Sequence, residues 1–418
     1  MANTIKYRAR NFIPIRRSLP HRFASNMKSS AQPTPTKIEI AVVCPPGLEE
    51  VTGAEIRDLG IAVIRQENGL LACSGAAEEL YRLNLHLRTA SRVLLRIGGF
   101  NAAAFSELEK KAARLPWSEF LRTGQSVHIR VSAAASRLYH KKGIAERVIN
   151  AIAHALGGPV HLRESVAADE EDPTAQLIVV RLVRNFCTIS IDSSGEHLHR
   201  RGYRLAVGKA PLRENLAAAL LLASGWDRQS PLVDPFCGSG VIPIEAALLA
   251  RNIAPGLHRS FAFEQWPSFQ PGTWQGIQAS ADASIHAGVT PFIAGSDRDA
   301  GAIEMSRANA DRAGVADLIH WTRRSISDLI LPELPGWMVT NPPYGERIKG
   351  GVDPRNLYAR LGSVWRERAG LWHNFLVSAN PRWTGHMGMA GRKVLAFNHG
   401  GINVWLMEMK PKQTDEGT

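Results

Sequence analysis

The sequence predicts an α/β chain whose C-terminal half is a doubly wound parallel sheet, preceded by two smaller α+β units. Three observations predict it. Strand and helix signals alternate from about residue 205 onward, and a glycine-rich turn, "DPFCGSG", joins an apolar strand to an apolar helix at residues 234–240. Before residue 195, shorter strand, hairpin and helix groups fall into two sets. The length of 418 residues agrees, because domains of roughly 100–200 residues imply two to four of them.

Residues 1–37 read as a disordered basic tail. The first 38 residues hold eight Lys and Arg and no acid, whereas the remaining 380 carry 42 basic against 38 acidic side chains, so most of the net charge of +12 belongs to the tail. An RNA-touching arm is a second reading of it, and an Arg-rich, acid-free leader also fits organelle import beside a cytoplasmic location. From residue 38, "IEIAVVC" is a strand ended by "PPG", and "LEEVTGAEIRDLG" has helical apolar spacing with Gly60 as its stop. "IAVIRQENGLLACSG" reads as a hairpin around Glu67-Asn68-Gly69, "AAEELYRLNLHLRT" as a helix and "SRVLLRIGGF" as a strand, which completes a unit over residues 38–100.

A second unit, residues 101–195, follows with a helix at "FSELEKKAARL", a strand at "SVHIRVSA", a helix at "GIAERVINAIAHALGG" and strands at "AQLIVVRLV" and "CTISIDSS". Its loop "SRLYHKKG" carries Arg137, His140, Lys141 and Lys142, a solvated run that would suit a phosphate. No run of 18 apolar residues suggests a membrane span, and no signal-peptide pattern opens the chain. Cys44, Cys73, Cys187 and Cys237 have neither C-x-x-C nor His/Cys spacing, so a reducing compartment and no metal site are expected.

Residues 196–412 carry the chemistry, and 413–418 form a short tail. In "PLVDPFCGSGVIPIEAALLA", Gly238 and Gly240 let the backbone approach a ligand at the end of a strand and the start of a helix. The loop lacks the Lys of a nucleotide-triphosphate loop and the spacing of a dinucleotide fingerprint. Asp234 offers a carboxylate to an ammonium, which S-adenosylmethionine carries and a nicotinamide pyrophosphate does not. A second strand ends at Asp297, where such sheets hold a ribose, and Asp299 reads as a helix N-cap. The segment "RNIAPGLHRSFAFEQWPSFQPGTW" is an insertion between the two acids.

"GWMVT" then runs into "NPPYGERI". Pro342 and Pro343 fix an extended path and remove two backbone donors, which leaves the Asn341 side-chain oxygen and the Pro342 carbonyl as a rigid acceptor pair for a flat amino group. Tyr344 can stack on the ring that bears that group. The motif therefore reads as a clamp for an exocyclic amine on a nucleic-acid base that has left its stack.

With these residues placed, the chain resembles the THUMP-domain class I methyltransferases, most closely the bacterial 23S ribosomal RNA guanine-N2 methyltransferases. The likeness rests on "HRRGYR", "APLRENLAAALL", "DPFCGSG", "APGLHRSFAFEQW" and "NPPYGERI" in that order, and covers roughly residues 38–410. It implies a ferredoxin-like domain at 38–100, a THUMP domain that helps bind RNA at 101–195, and a Rossmann-like catalytic domain using S-adenosylmethionine at 196–412. The loop Asp234, Pro235, Phe236, Gly238 and Gly240 would take the methionine end of the cofactor, Asp297 its ribose, and Asp328 its adenine. Asn341, Pro342, Pro343 and Tyr344 would take the target amine. Arg200, Arg201, Arg204, Arg213 and Arg347 are equally suited to phosphates and to internal ion pairs, and Cys237 reads as small packing. The expected activity is N2-methylation of a guanine in 23S rRNA. Guanine-N2 methylation of tRNA, adenine-N6 methylation of nucleic acid and a non-catalytic RNA-binding assembly factor are the alternatives.

Overall fold

The computed structural model describes residues 38–163, 174–204, 212–343, 354–367 and 370–412. The basic tail, Tyr344 and Arg347 lie outside the described residues. The N-terminal elements are β1 (Ile38–Val43), α1 (Glu49–Asp58), β2 (Val63–Glu67), β3 (Leu70–Gly75), α2 (Ala77–His86), β4 (Arg92–Asn101), α3 (Phe105–Ala112), β5 (Ser126–Ala134), α4 (Lys141–Leu156), β6 (His161–Leu162), β7 (Gln176–Val183) and β8 (Phe186–Asp192). The hairpin expected at Glu67-Asn68-Gly69 is the β2–β3 turn, with Glu67 opposite Leu70 and Gly69 at a φ of +72°.

All eight strands form one sheet in the order β2-β3-β1-β4-β8-β7-β5-β6. The two α+β units read separately from the sequence are thus continuous through β4, which pairs antiparallel with β1 on one side and with β8 on the other. The β4–β8 register shifts between Arg96 and Gly98, an irregularity that lets one strand serve both halves.

The second sheet is built from β9 (Leu232–Asp234), β10 (Ile293–Asp297), β11 (Ile319–Arg323), β12 (Gly336–Thr340), β13 (Trp372–Ser378), β14 (Met389–His399) and β15 (Ile402–Pro411). Its helices are α5 (Glu214–Ala223), α6 (Val241–Ala250), α7 (Pro271–Ala283), α8 (Ala300–Arg312), α9 (Pro354–Glu367) and the short α10 (Pro381–Thr384). Strand order is β11-β10-β9-β12-β13-β15-β14, parallel through β13 and antiparallel for the final hairpin. β9 is central and buried throughout, and every residue of α6 is buried, which explains why both read as continuous apolar runs. No helix among the described residues is long and apolar enough to cross a membrane. All four cysteines are buried and free of disulfides.

The insertion does not stay with the sheet that interrupts it. Phe261, Phe263, Trp266 and Trp274 join the N-terminal core, where Phe263 stacks on Tyr81 with ring centroids 4.4 Å apart and Trp266 meets Phe120 edge-on at 5.0 Å. The Trp266 indole donates to Gln176 Oε1 at 2.8 Å, and Gln270 N donates to the Tyr81 hydroxyl at 3.2 Å. Arg259 donates to the carbonyls of Glu196 at 2.6 Å and His197 at 2.8 Å, tying the insertion to the segment after β8.

A buried polar cluster completes the junction. Arg201 Nη1 lies 2.5 Å from Glu245 Oε2, with side chains 2% and 0% exposed, and the Tyr203 hydroxyl donates to the other Glu245 oxygen at 2.9 Å. Arg201 also donates to the Arg88 carbonyl at 2.7 Å, and Arg88 to that of Ile253 at 2.6 Å. Two of the arginines of "HRRGYR" therefore serve internal ion pairs: Arg201, and Arg204, whose Nε is 3.1 Å from Glu214 Oε1 in a second buried pair. Removing one partner of a buried pair strands the other charge. Arg201→Ala is expected to cost about 3–5 kcal/mol, read as a lower urea midpoint, whereas Arg200→Ala, whose exposed side chain is 3.7 Å from Glu196, should change it little.

Candidate functional site

The carboxyl ends of β9 and β12 and the start of α8 converge on a cavity of about 420 Å³, whose lining does not include Asp297 at the end of β10. Asp234, Phe236, Cys237, Gly238 and Ser239 line it from the loop, Asp299, Gly301, Ala302 and Met305 from the start of α8, and Asn341 from the end of β12. The loop is held from below. Cys237 N donates to the Ser296 carbonyl at 3.0 Å, Ser306 Oγ to that of Gly238 at 2.8 Å, and Asn309 Nδ2 to that of Ser239 at 2.9 Å. Gly240 has a φ of +82°, and a Cβ there would stand 2.6 Å from the Trp321 ring, so only glycine fits.

Asp234 is 1% exposed at the end of β9. Its Oδ1 accepts from Thr340 Oγ1 at 2.6 Å and from Phe236 N at 3.1 Å. Burial pushes the carboxyl up to about 7, with the nearby Asp297 adding to the rise and the two hydrogen bonds opposing it. Burial likewise holds the Cys237 thiol well above its ordinary value, which fits packing and not nucleophilic chemistry.

Asp297 is tied into the loop: one oxygen accepts from Gly238 N at 3.1 Å and the other from Asp299 N at 3.0 Å. Asp299 caps α8 as expected, accepting from Gly301 N at 2.9 Å, and it also lines the cavity. Asn341 Oδ1 is buried and has no hydrogen-bond partner among the described residues, an arrangement that leaves a full acceptor at the cavity wall for a donor from outside. Pro342 is buried and Pro343 half-buried beside it, and Pro235 is buried under the loop. Asp328 is exposed in a turn after β11 and does not line the cavity.

Leu212, Ala302 and Met305 in the cavity wall were not singled out in the sequence. Met305 shares the cavity-facing side of α8 with Gly301 and Ala302, an i, i+4 spacing legible only once the start of the helix is fixed by Asp299. Leu212 is held because Arg204 donates to its carbonyl at 2.7 Å. Arg213 is exposed at the residue before α5.

The N-terminal sheet presents a second surface. Arg137, Tyr139, His140, Lys141 and Lys142 are all exposed, Tyr139 at 77%, while Leu138 is buried and anchors the loop. The β7–β8 turn bonds directly to that loop: Arg137 N donates to Asn185 Oδ1 at 2.8 Å, Asn185 N to Ser136 Oγ at 3.0 Å and Arg184 N to the Ala134 carbonyl at 3.2 Å. Arg184 thereby joins a basic patch that the sequence showed only in part.

A buried carboxylate with one oxygen that accepts no bond from the described residues, a glycine cradle and an amide oxygen without a partner among them suit an amino-acid ammonium and a base amine, so the residues fit S-adenosylmethionine. Comparison with known proteins agrees. Residues 39–94 match the RlmL ferredoxin-like domain, 102–192 the THUMP domain and 201–404 the RMKL-like methyltransferase domain. A protein named "Putative RNA methyltransferase slr0064" from Synechocystis sp. is 33% identical over 87% of this chain and 94% of its own. The "Ribosomal RNA large subunit methyltransferase K/L" of Syntrophotalea carbinolica is 35% identical over 88% of this chain, which spans about half, 53%, of that longer protein. The crystal structure titled "SMU.472, a putative methyltransferase complexed with SAH" superposes with a TM-score of 0.79 at 30% identity, over 91% of this chain and 99% of that one. The chain thus belongs to the THUMP-domain class I methyltransferases, the S-adenosylmethionine-dependent RNA methyltransferases with an RlmL ferredoxin-like domain ahead of an RMKL-like catalytic domain.

Proposed function

We propose that the protein methylates the N2 amine of a guanine in 23S rRNA, in the cytoplasm, with residues 38–100, 101–195 and 196–412 as its ferredoxin-like, THUMP and catalytic domains. The observation that carries the chemistry is Asn341 Oδ1, which has no hydrogen-bond partner among the described residues and lies on the wall of the cavity that Asp234 also lines. The large-subunit ribosomal RNA relative supports the substrate.

When bound, S-adenosylmethionine supplies a methyl group on a positively charged sulfur. Asp234 would receive the ammonium of its methionine end, Phe236, Gly238 and Gly240 would shape the cradle, and Asp297 would accept from the ribose hydroxyls with the lone pairs its two backbone amides leave open. Asp328 would meet the adenine; it is exposed after β11 and, like Asp297, is not among the residues that line the cavity. Asn341 Oδ1 and the Pro342 carbonyl accept the two hydrogens of the base amine. The amine lone pair, otherwise delocalised into the ring, is drawn back toward nitrogen and held in line, so positioning and charge stabilisation replace a strong base. Tyr344 stacks on the base. Tyr139, with Arg137, Lys141, Lys142 and Arg184, forms a platform for an unpaired stretch of the RNA.

Asn341→Ala should lower kcat by roughly 100-fold or more while RNA affinity and S-adenosylhomocysteine affinity persist, measured by methyl transfer and direct binding. The product assay uses labelled S-adenosylmethionine with unmodified 23S rRNA, 16S rRNA, tRNA and duplex DNA. N2-methylguanine in 23S rRNA is expected, N2-methylguanine in tRNA would change the substrate, and N6-methyladenine would overturn the base. Tyr139→Ala combined with Lys141→Ala and Lys142→Ala should raise KM for RNA about 10-fold or more and flatten its salt dependence, with kcat unchanged.

A buried acid whose carboxyl is raised in the fold favours the folded state most fully below its unfolded value, and loses that contribution as pH rises through about 7. Without ligand, Asp234→Asn should therefore melt higher than wild type near pH 8 and lose the advantage near pH 5, an effect on the order of a few kcal/mol.

A further inference from the structure

β12 ends in Thr340, which is fully buried and aims its hydroxyl at the Asp234 carboxylate. β12 runs parallel to β9, with Met338 level with Val233, so Thr340 reaches one step past Asp234 and passes directly into Asn341. Its hydroxyl and the Phe236 amide both donate to Oδ1, at 2.6 and 3.1 Å. No donor among the described residues reaches Oδ2, and no cation among them pairs with Asp234. Asp297 faces the carboxylate from the end of β10 and Cys237 from the loop, the one raising its proton affinity and the other a thiol held protonated.

We propose that Thr340 is a positioning residue for methyl transfer: its hydroxyl holds Oδ1 of Asp234 and so favours the carboxylate form with Oδ2 turned to the ligand, and the same strand end sets Asn341. This rests on the reading of Asp234 as the seat of the cofactor ammonium. A lysine or arginine in Thr340's place would ionise Asp234 equally well but would occupy the seat itself. A neutral hydroxyl stabilises the charge without competing for it, and it does so against burial, which alone would leave the carboxyl protonated over much of the neutral range. Because one residue contacts the ammonium seat and precedes the amine acceptor, the two ends of the reacting pair are referenced to a single strand terminus.

The test is the affinity of S-adenosylhomocysteine, which carries the same amino-acid end, followed calorimetrically from about pH 5.5 to 8.5 for wild type, Thr340→Val, Thr340→Ser and Asp234→Asn. In wild type, binding should strengthen with rising pH and level off. Thr340→Val should move that midpoint up by about one pH unit, weakening binding about 5-fold at pH 7 and much less at pH 8.5, while Thr340→Ser follows wild type. A Thr340→Val curve that keeps the wild-type midpoint, or loses affinity equally at every pH, would overturn the proposal. Thr340→Ala serves the same comparison if the valine protein does not fold. Asp234→Asn separates the two layers: if it binds like wild type, the seat itself is misassigned. If it loses binding while Thr340→Val keeps the wild-type midpoint, only the role of Thr340 falls.

Discussion

The arrangement depends on the buried contact between Arg201 and Glu245. Glu245 sits in the middle of α6, the helix that begins at Gly240 of the cofactor loop, and Arg201 also reaches back to the carbonyl of Arg88 in the N-terminal half. Burying two charges costs several kcal/mol per ion unless every partner is supplied. Here both glutamate oxygens are occupied, one by Arg201 and one by Tyr203. A pair so placed contributes geometric definition more than net stability: α6 cannot rotate or slide without breaking it, and the loop at the N-terminus of α6 inherits that fixed position.

The insertion works from the opposite direction. Its aromatic residues leave the catalytic sheet and fill the core under the N-terminal one, and Arg259 collects carbonyls from the linking segment. Apolar burial and backbone hydrogen bonding thus reinforce the ionic contact from a different face. The basic loop of the N-terminal sheet and the cavity of the second sheet thus lie on elements joined by packing and hydrogen bonds.

Much of the candidate site was legible because its pattern is local. Asp234 through Gly240 form one turn, Asp297 ends one strand, and Asn341 begins one proline-fixed segment; each meaning depends on neighbours in the chain. What was not legible depends on neighbours in space. The arginines of "HRRGYR" were equally suited to phosphate and to ion pairs until Glu245 and Glu214 were seen opposite two of them. Arg184 joined the Tyr139 loop only through hydrogen bonds between two distant loops. Asp328 was assigned by spacing, and it lies exposed after β11, outside the cavity lining. The N-terminal halves were read as two units because helix and strand periodicity say nothing of which edge strands meet, and the irregular step in β4 has no local signature apart from Gly98 and Gly99.

That shared strand has a consequence for how the chain comes to be folded. β4 and β8 are separated by about ninety residues of sequence, so the central seam of the N-terminal sheet closes only after the whole of the second set of elements has been made. Until then β4 presents an unpaired edge rich in Val, Leu and Ile, and so does β8 if the chain is cut ahead of it. The two halves share one sheet. A fragment ending or starting near residue 100 would carry a bare, sticky edge in place of an interior strand, and nascent chains must pass through that state during synthesis.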